Sequence, residues 1–93
     1  MFHVEHSVEA EAVRRVARAE AALFALGYTR LRVRHHGDVA RVELPGEAVE
    51  DAARQPMRSS IVDAVKAAGY VYVALDLEGY RTGSLNEELV EEG

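Results

Sequence analysis

The chain has 93 residues, no cysteine and a formal net charge of -5. That length makes one small domain, able to bury roughly two-thirds of the surface its unfolded chain exposes. The lack of cysteine excludes a disulfide framework, a thiolate nucleophile and thiolate zinc or iron–sulfur sites within this chain.

Residues 1–7 read as a flexible N-terminal segment in which Glu5 and His6 interrupt any signal-like start, while His3 and His6 lack a third convergent ligand for a metal. From 8 to 26 the chain keeps a helical period. Ala12, Val13, Val16, Ala19, Leu23, Phe24 and Leu26 share one arc, Ser7 is placed as N-cap and Gly27 as the stop. Glu20 breaks the rule by falling within that arc, whereas Glu11, Arg14, Arg15 and Arg18 lie outside it. A carboxylate so placed needs a partner, and an arginine is the expected one.

Two strands follow, at about 29–36 and 38–44. Side chains alternate across a strand, so Leu31, Val33 and His35 share one face and Arg30, Arg32, Arg34 and His36 the other. A two-residue turn at Gly37-Asp38 sets Leu31 against Leu44, Val33 against Val42 and Arg32 against Glu43; a turn at His36-Gly37 keeps the same faces. Adjacent His35 and His36 point to opposite faces, so they cannot hold one metal together, and no metal site is expected.

Residues 47–54 read as a short helix, and a second helix spans about 57–68, with Pro56 in its first turn, Met57, Ile61 and Val65 inward and Gly69 as its stop. In a third strand Val71, Val73, Leu75 and Leu77 alternate with Tyr70, Tyr72, Ala74 and Asp76, after which 78–84 follows no pattern. The expected core takes Val16, Leu23, Val33, Val42, Ile61, Val65 and Val73. The fold class is α+β: helices on a small three-stranded sheet, order α-β-β-α-α-β, in one domain over 8–86 with an acidic flexible tail at 87–93.

Arginines gathered on one strand face of an acidic chain repel each other unless an anion or carboxylates sit among them. Gly79, Gly83 and Ser84 bracket Arg81 in a loop whose amides suit phosphate oxygens, and guanidinium forks suit the same ligand. Arg32, Arg34 and Arg81, with Glu20 orienting a guanidinium, are therefore the candidate phosphate site. The bland alternative is a solvated face relieved by Glu43 and by acids of another strand. No Walker-type loop, no Ser-Gly-Gly-x-Asp-Ser adenylation loop and no Gly-x-Ser-x-Gly elbow occurs, so the chain has no means of activating ATP alone.

Several stretches together carry a family likeness: Arg14-Arg15-Val16 to Ala19-Glu20, Leu26-Gly27-Tyr28, Arg32-Val33-Arg34-His35-His36-Gly37-Asp38-Val39-Ala40-Arg41-Val42-Glu43, and Leu75-Asp76-Leu77-Glu78-Gly79-Tyr80-Arg81-Thr82-Gly83-Ser84-Leu85-Asn86. Over about 8–87 the chain resembles the C-terminal domain of the ATP-dependent sacrificial sulfur transferases. These belong to the PP-loop pyrophosphatase superfamily and help make the nickel-pincer nucleotide cofactor. The resemblance implies a two-part enzyme. Its N-terminal domain binds ATP with Mg and adenylates a carboxylate of a pyridinium dicarboxylate mononucleotide; its C-terminal domain completes the substrate pocket and supports oligomerisation. By the motif match Glu20, Arg32, Arg34 and Arg81 correspond to active-site or phosphate-binding positions. The family's sulfur-donating cysteine lies just upstream of the first helix, where Met1-Phe2-His3-Val4-Glu5-His6 offers none. The chain is thus expected to bind a phosphate or mononucleotide, to be cytoplasmic, to self-associate and to work with a PP-loop partner subunit, without catalysis or a bound cofactor of its own.

Two other readings compete. A self-associating structural module follows if carboxylates of the same chain screen the arginine face. The order α-β-β-α-α-β is also that of a KH-like RNA-binding domain, but that needs a Gly-x-x-Gly loop where this chain has Arg54-Gln55-Pro56-Met57-Arg58. Together with the acidic balance this argues against nucleic acid and, in the absence of any run near the roughly 18 apolar residues of a membrane span, the sequence also argues against a membrane partner.

Overall fold

A computed structural model describes residues 8–80. Its elements are α1 (Val8–Ala25), β1 (Arg32–His36), β2 (Val39–Glu43), α2 (Gly46–Ala52), α3 (Met57–Ala67) and β3 (Tyr72–Leu75), the expected α+β order. The N-cap expected at Ser7, the segment 1–7, Arg81 and the acidic tail lie outside the described residues.

Helix α1 carries Glu9 and Glu11 in its first turn, where carboxylates complement the positive end of the helix dipole. It ends as its glycine predicts: the Leu26 and Gly27 amides donate back to the Leu23 and Phe24 carbonyls, and Gly27 takes φ +115°. The hairpin has the register of a two-residue turn, with Arg32 opposite Glu43, Val33 opposite Val42 and His36 opposite Val39. Gly37 supplies the positive φ of +61° that this turn needs. Strand β3 lies parallel to β2, completing a sheet of order β1-β2-β3, and α2 and α3 form the crossover that parallel neighbours require.

Helices α1 and α3 pack on each other and cover one face of the sheet, α1 over β1 and α3 over β3. Between the layers lie Ala19, Leu23, Val33, Ala40, Val42, Leu44, Ile61 and Val65, with Leu23, Val42, Leu44 and Val65 fully buried. Val16 and Val73, expected in the core, pack against it half-buried. The expected α1 arc is too wide: Val13 is 68% and Phe24 47% exposed. Among the described residues the sheet has three strands, each neighbour about 4.8 Å away, so α1 lies at its margin and no described residue covers one flank of its apolar arc.

The third strand also departs from expectation. Its alternation extends only over Tyr72–Leu75; Val71 and Leu77 are exposed, while Tyr70, just before the strand, is buried. Tyr70 is held by tertiary partners rather than by strand period. Its hydroxyl lies 2.8 Å from His35 Nδ1, and the Arg15 guanidinium sits 5.7 Å from its ring centroid. Burial pushes the Tyr70 phenol up from its ordinary value; Arg15 pulls the other way and Glu20 adds to the rise.

Candidate functional site

The sheet face away from α1 and α3 is built by alternation alone. With Val33, Ala40 and Val42 turned to the helices, Arg32 and Arg34 of β1 and Arg41 and Glu43 of β2 must turn away from them. Register then sets Arg34 directly opposite Arg41, a repulsive pairing across two strands. Glu43, two residues along β2 on the same face, relieves it. Its Oε2 accepts from Arg34 Nε at 3.2 Å and from an Arg41 terminal nitrogen at 3.1 Å.

The carboxylate that holds both guanidinium groups has a side chain only 10% exposed, while those of Arg34 and Arg41 remain 40% and 41% exposed. The anchor is buried and the cations reach solvent. Asp76, just past β3, lies 3.5 Å from Arg41 Nε without forming a hydrogen bond of good geometry, and that Nε is buried without a partner. Arg32 stands apart, its guanidinium 5.6 Å from the centroid of the Tyr80 ring.

Tyr80 reaches this position through Gly79. The Tyr80 amide donates to the Leu44 carbonyl, pairing Pro45 with Tyr80 as a parallel bridge at the end of β2. Gly79 has φ +83°, and a Cβ there would lie 2.8 Å from the Leu44 carbonyl oxygen and 2.9 Å from Gly46 Cα. Only glycine lets the chain cross so close to its own backbone. The next residue is Arg81, outside the described residues.

Three guanidinium groups, Arg32, Arg34 and Arg41, thus share with two carboxylates, Glu43 and Asp76, a sheet face that no helix among the described residues covers. Sequence alternation finds Arg32 and Arg34; it also puts Arg41 and Glu43 on that face, but the grip of Glu43 on both Arg34 and Arg41 needs the hairpin register. Asp76 and Tyr80 come only from the parallel packing of β3 and from Gly79.

Glu20 is not paired with an arginine among the described residues. Its Oε2 accepts the Val33 backbone amide at 3.0 Å. Arg32 and Arg34 project from the opposite face, whereas Val33 turns toward the helix layer. A two-residue hairpin makes His36–Val39, Arg34–Arg41 and Arg32–Glu43 the hydrogen-bonded pairs, so the Val33 amide points out of the sheet edge and needs an acceptor. Glu20 supplies it. His35, on the same side of the sheet, pairs with Tyr70 instead of joining His36, and among the described residues no group of three His, Cys, Asp or Glu is placed to hold a metal ion. No described helix is long and apolar enough to cross a membrane.

No family model matches the chain. It is 38% identical over 90 residues to an uncharacterised protein of Synechocystis, a match spanning 97% of this chain and 34% of that protein. It is 35% identical over 79 residues to the pyridinium-3,5-bisthiocarboxylic acid mononucleotide synthase of Lactiplantibacillus plantarum, spanning 85% of this chain and 28% of the synthase. The chain therefore spans about a third of the length of the curated relatives it matches. It is related in sequence, over most of its own length, to part of an enzyme that makes a pyridinium mononucleotide bearing thiocarboxylates.

Proposed function

We propose that this domain binds the phosphate of a pyridinium carboxylate mononucleotide on the open face of its sheet, as the C-terminal, non-adenylating part of a sulfur-transfer system. The observation that carries the reading is the arginine arrangement: Arg34 and Arg41 held side by side on the buried Glu43, with Arg32 beside them on the sheet face away from the described helices. Glu43 and Asp76 leave one positive charge in excess among these five groups, and the exposed guanidinium edges offer the paired donors that a phosphate takes. Arg81, one residue beyond Tyr80, adds a fourth guanidinium in this proposal. Glu20 acts on the site through β1, by holding the Val33 amide. Adenylation, with its ATP and Mg, is assigned to a PP-loop partner, and the similarity to the synthase supports that division of labour.

Titration with inorganic phosphate and with nicotinic acid mononucleotide, followed by backbone amide chemical shifts, tests the site. Saturable shifts at residues 32–34, 41 and 43 are expected, and the Arg32→Ala, Arg34→Ala double variant should lose them. Shifts that survive in the double variant reject the reading. The chain alone is expected to release no AMP from ATP; protein-dependent release would contradict it.

Self-association belongs to the same proposal, on the solvent flank of α1, where Val8 is 82% and Val13 68% exposed. Light scattering from micromolar to millimolar concentration should show a mass above that of the monomer, and a Val13→Glu variant should return it to the monomer.

A further inference from the structure

Arg32 is held differently from the other two arginines on its face. Arg34 and Arg41 each donate to the Glu43 carboxylate, which offsets part of their charge and engages some of their N–H groups. Arg32 stands opposite Glu43 in the hairpin register, yet among the described residues no carboxylate pairs with it and no acceptor takes its N–H donors. Its neighbour is a ring. The Tyr80 centroid lies 5.6 Å from the guanidinium carbon of Arg32.

The difference has a chemical consequence. A long arginine side chain samples many rotamers, and an anion that binds it must also hold it still. A carboxylate would restrain the guanidinium but would compete with the anion for the same donors. An aromatic ring attracts the cation through its quadrupole and places no acceptor in the guanidinium plane. Arg32 beside Tyr80 therefore loses freedom while keeping its charge and its donors.

Local structure brings the ring to this place. Residues 76–79 close a turn, with the Gly79 amide donating to the Asp76 carbonyl at 3.1 Å and the Glu78 amide to Asp76 Oδ1 at 2.9 Å. Gly79 then passes close to Leu44, and Tyr80 pairs with Pro45, two residues beyond Glu43. Alternation puts Arg41, Glu43 and Pro45 on one face, so the side chain of Tyr80 joins the arginines rather than α1 and α3. The Tyr80 hydroxyl makes no hydrogen bond among the described residues, which leaves the ring as the part that acts.

We propose that Tyr80 is the positioning residue of the anion face: its ring holds the Arg32 guanidinium ready for a bound phosphate without neutralising it. The inference rests on the anion reading above and adds to it the residue that prepares Arg32.

Titration of the full chain with inorganic phosphate, read by backbone amide and arginine side-chain signals, tests it. Tyr80→Phe should bind as the unaltered chain does, since it keeps the ring. Tyr80→Leu should bind about two- to fivefold more weakly, the range of a cation–π contact at an exposed site. In an Arg32→Ala background, Tyr80→Leu should change nothing further, because the ring acts through Arg32. The Arg32 side-chain protons should be displaced by the ring current in the unaltered chain and in Tyr80→Phe, and should return to random-coil positions in Tyr80→Leu. Random-coil Arg32 signals in the unaltered chain overturn the proposal. So does equal weakening by Tyr80→Leu with and without Arg32, which would mark a merely structural role. Saturable binding that Tyr80→Leu leaves unchanged rejects this inference alone, whereas an unaltered chain that does not bind phosphate rejects the anion reading and this inference with it.

Discussion

Single residues in this domain are explained by the backbone groups and charges they satisfy. Glu20 interrupts an apolar helical arc because an outward amide of β1 needs an acceptor, and a hydrogen bond to a charged group is worth more than a neutral one. Glu20→Ala should therefore lower stability by about 1–2 kcal/mol, the part-exposed setting holding it below the buried limit, and a urea midpoint at unchanged slope would show it. Tyr70 sits buried with its phenol raised above the unfolded value, so it contributes stability that is fully present below about pH 10 and is lost as pH rises through the folded value. Thermal midpoints should fall above pH 10, and Tyr70→Phe should flatten that fall while costing about 1 kcal/mol at neutral pH through the lost His35 contact. Glu11 behaves in the opposite sense. Hydrogen bonding from Arg14, then its charge and the contacts of Arg15, hold the Glu11 carboxyl below its ordinary value despite some desolvation, so its contribution is lost as pH falls through that lowered range.

At the scale of elements, two glycines govern how the strands meet. Gly37 has open space around its missing side chain, so Gly37→Ala should cost only the strain of positive φ, about 1 kcal/mol. Gly79 has both positive φ and backbone atoms within 3 Å of any added Cβ, so Gly79→Ala should cost more, and should pull Tyr80 away from Leu44. That second effect has a functional reading. Loss of the Pro45–Tyr80 bridge removes the ring beneath Arg32, so amide shifts in Gly79→Ala should appear around Arg32 and Leu44 and weaken phosphate binding; an unshifted Arg32 would separate Tyr80 from the site. Within the helices, Leu23→Ala should cost about 2–5 kcal/mol, since Leu23 is fully buried between α1 and the sheet.

For the molecule as a whole, local pattern determined the elements and the two faces of the hairpin. The 3.6-residue period of α1, the strict alternation of 31–36 and the glycines at 27, 37 and 69 each act over a few residues, and they recur as a helix end, a turn and a second helix end. The Arg32–Glu43 and Val33–Val42 pairs are those of a turn at Gly37-Asp38; alternation kept the same faces for a turn at His36-Gly37, so the faces were legible and the folded hairpin decided the register. What required tertiary structure was the partner of each misplaced group. Periodicity shows that Glu20 needs something, but an outward amide of β1 is created only when the hairpin closes under α1. It shows arginines on one face, but Glu43 joins Arg34 to Arg41 only once the hairpin register is set, and Asp76 approaches Arg41 only once β3 lies parallel to β2. Tyr70 left its strand for the same cause: His35 and Arg15 lie 35 and 55 residues away in sequence, and their contacts with the buried phenol outweigh alternation. Short-range order is set by sterics and hydrophobic period, which the chain carries locally; the pairing of buried polar groups depends on which distant segments the folded sheet brings within about 3 Å.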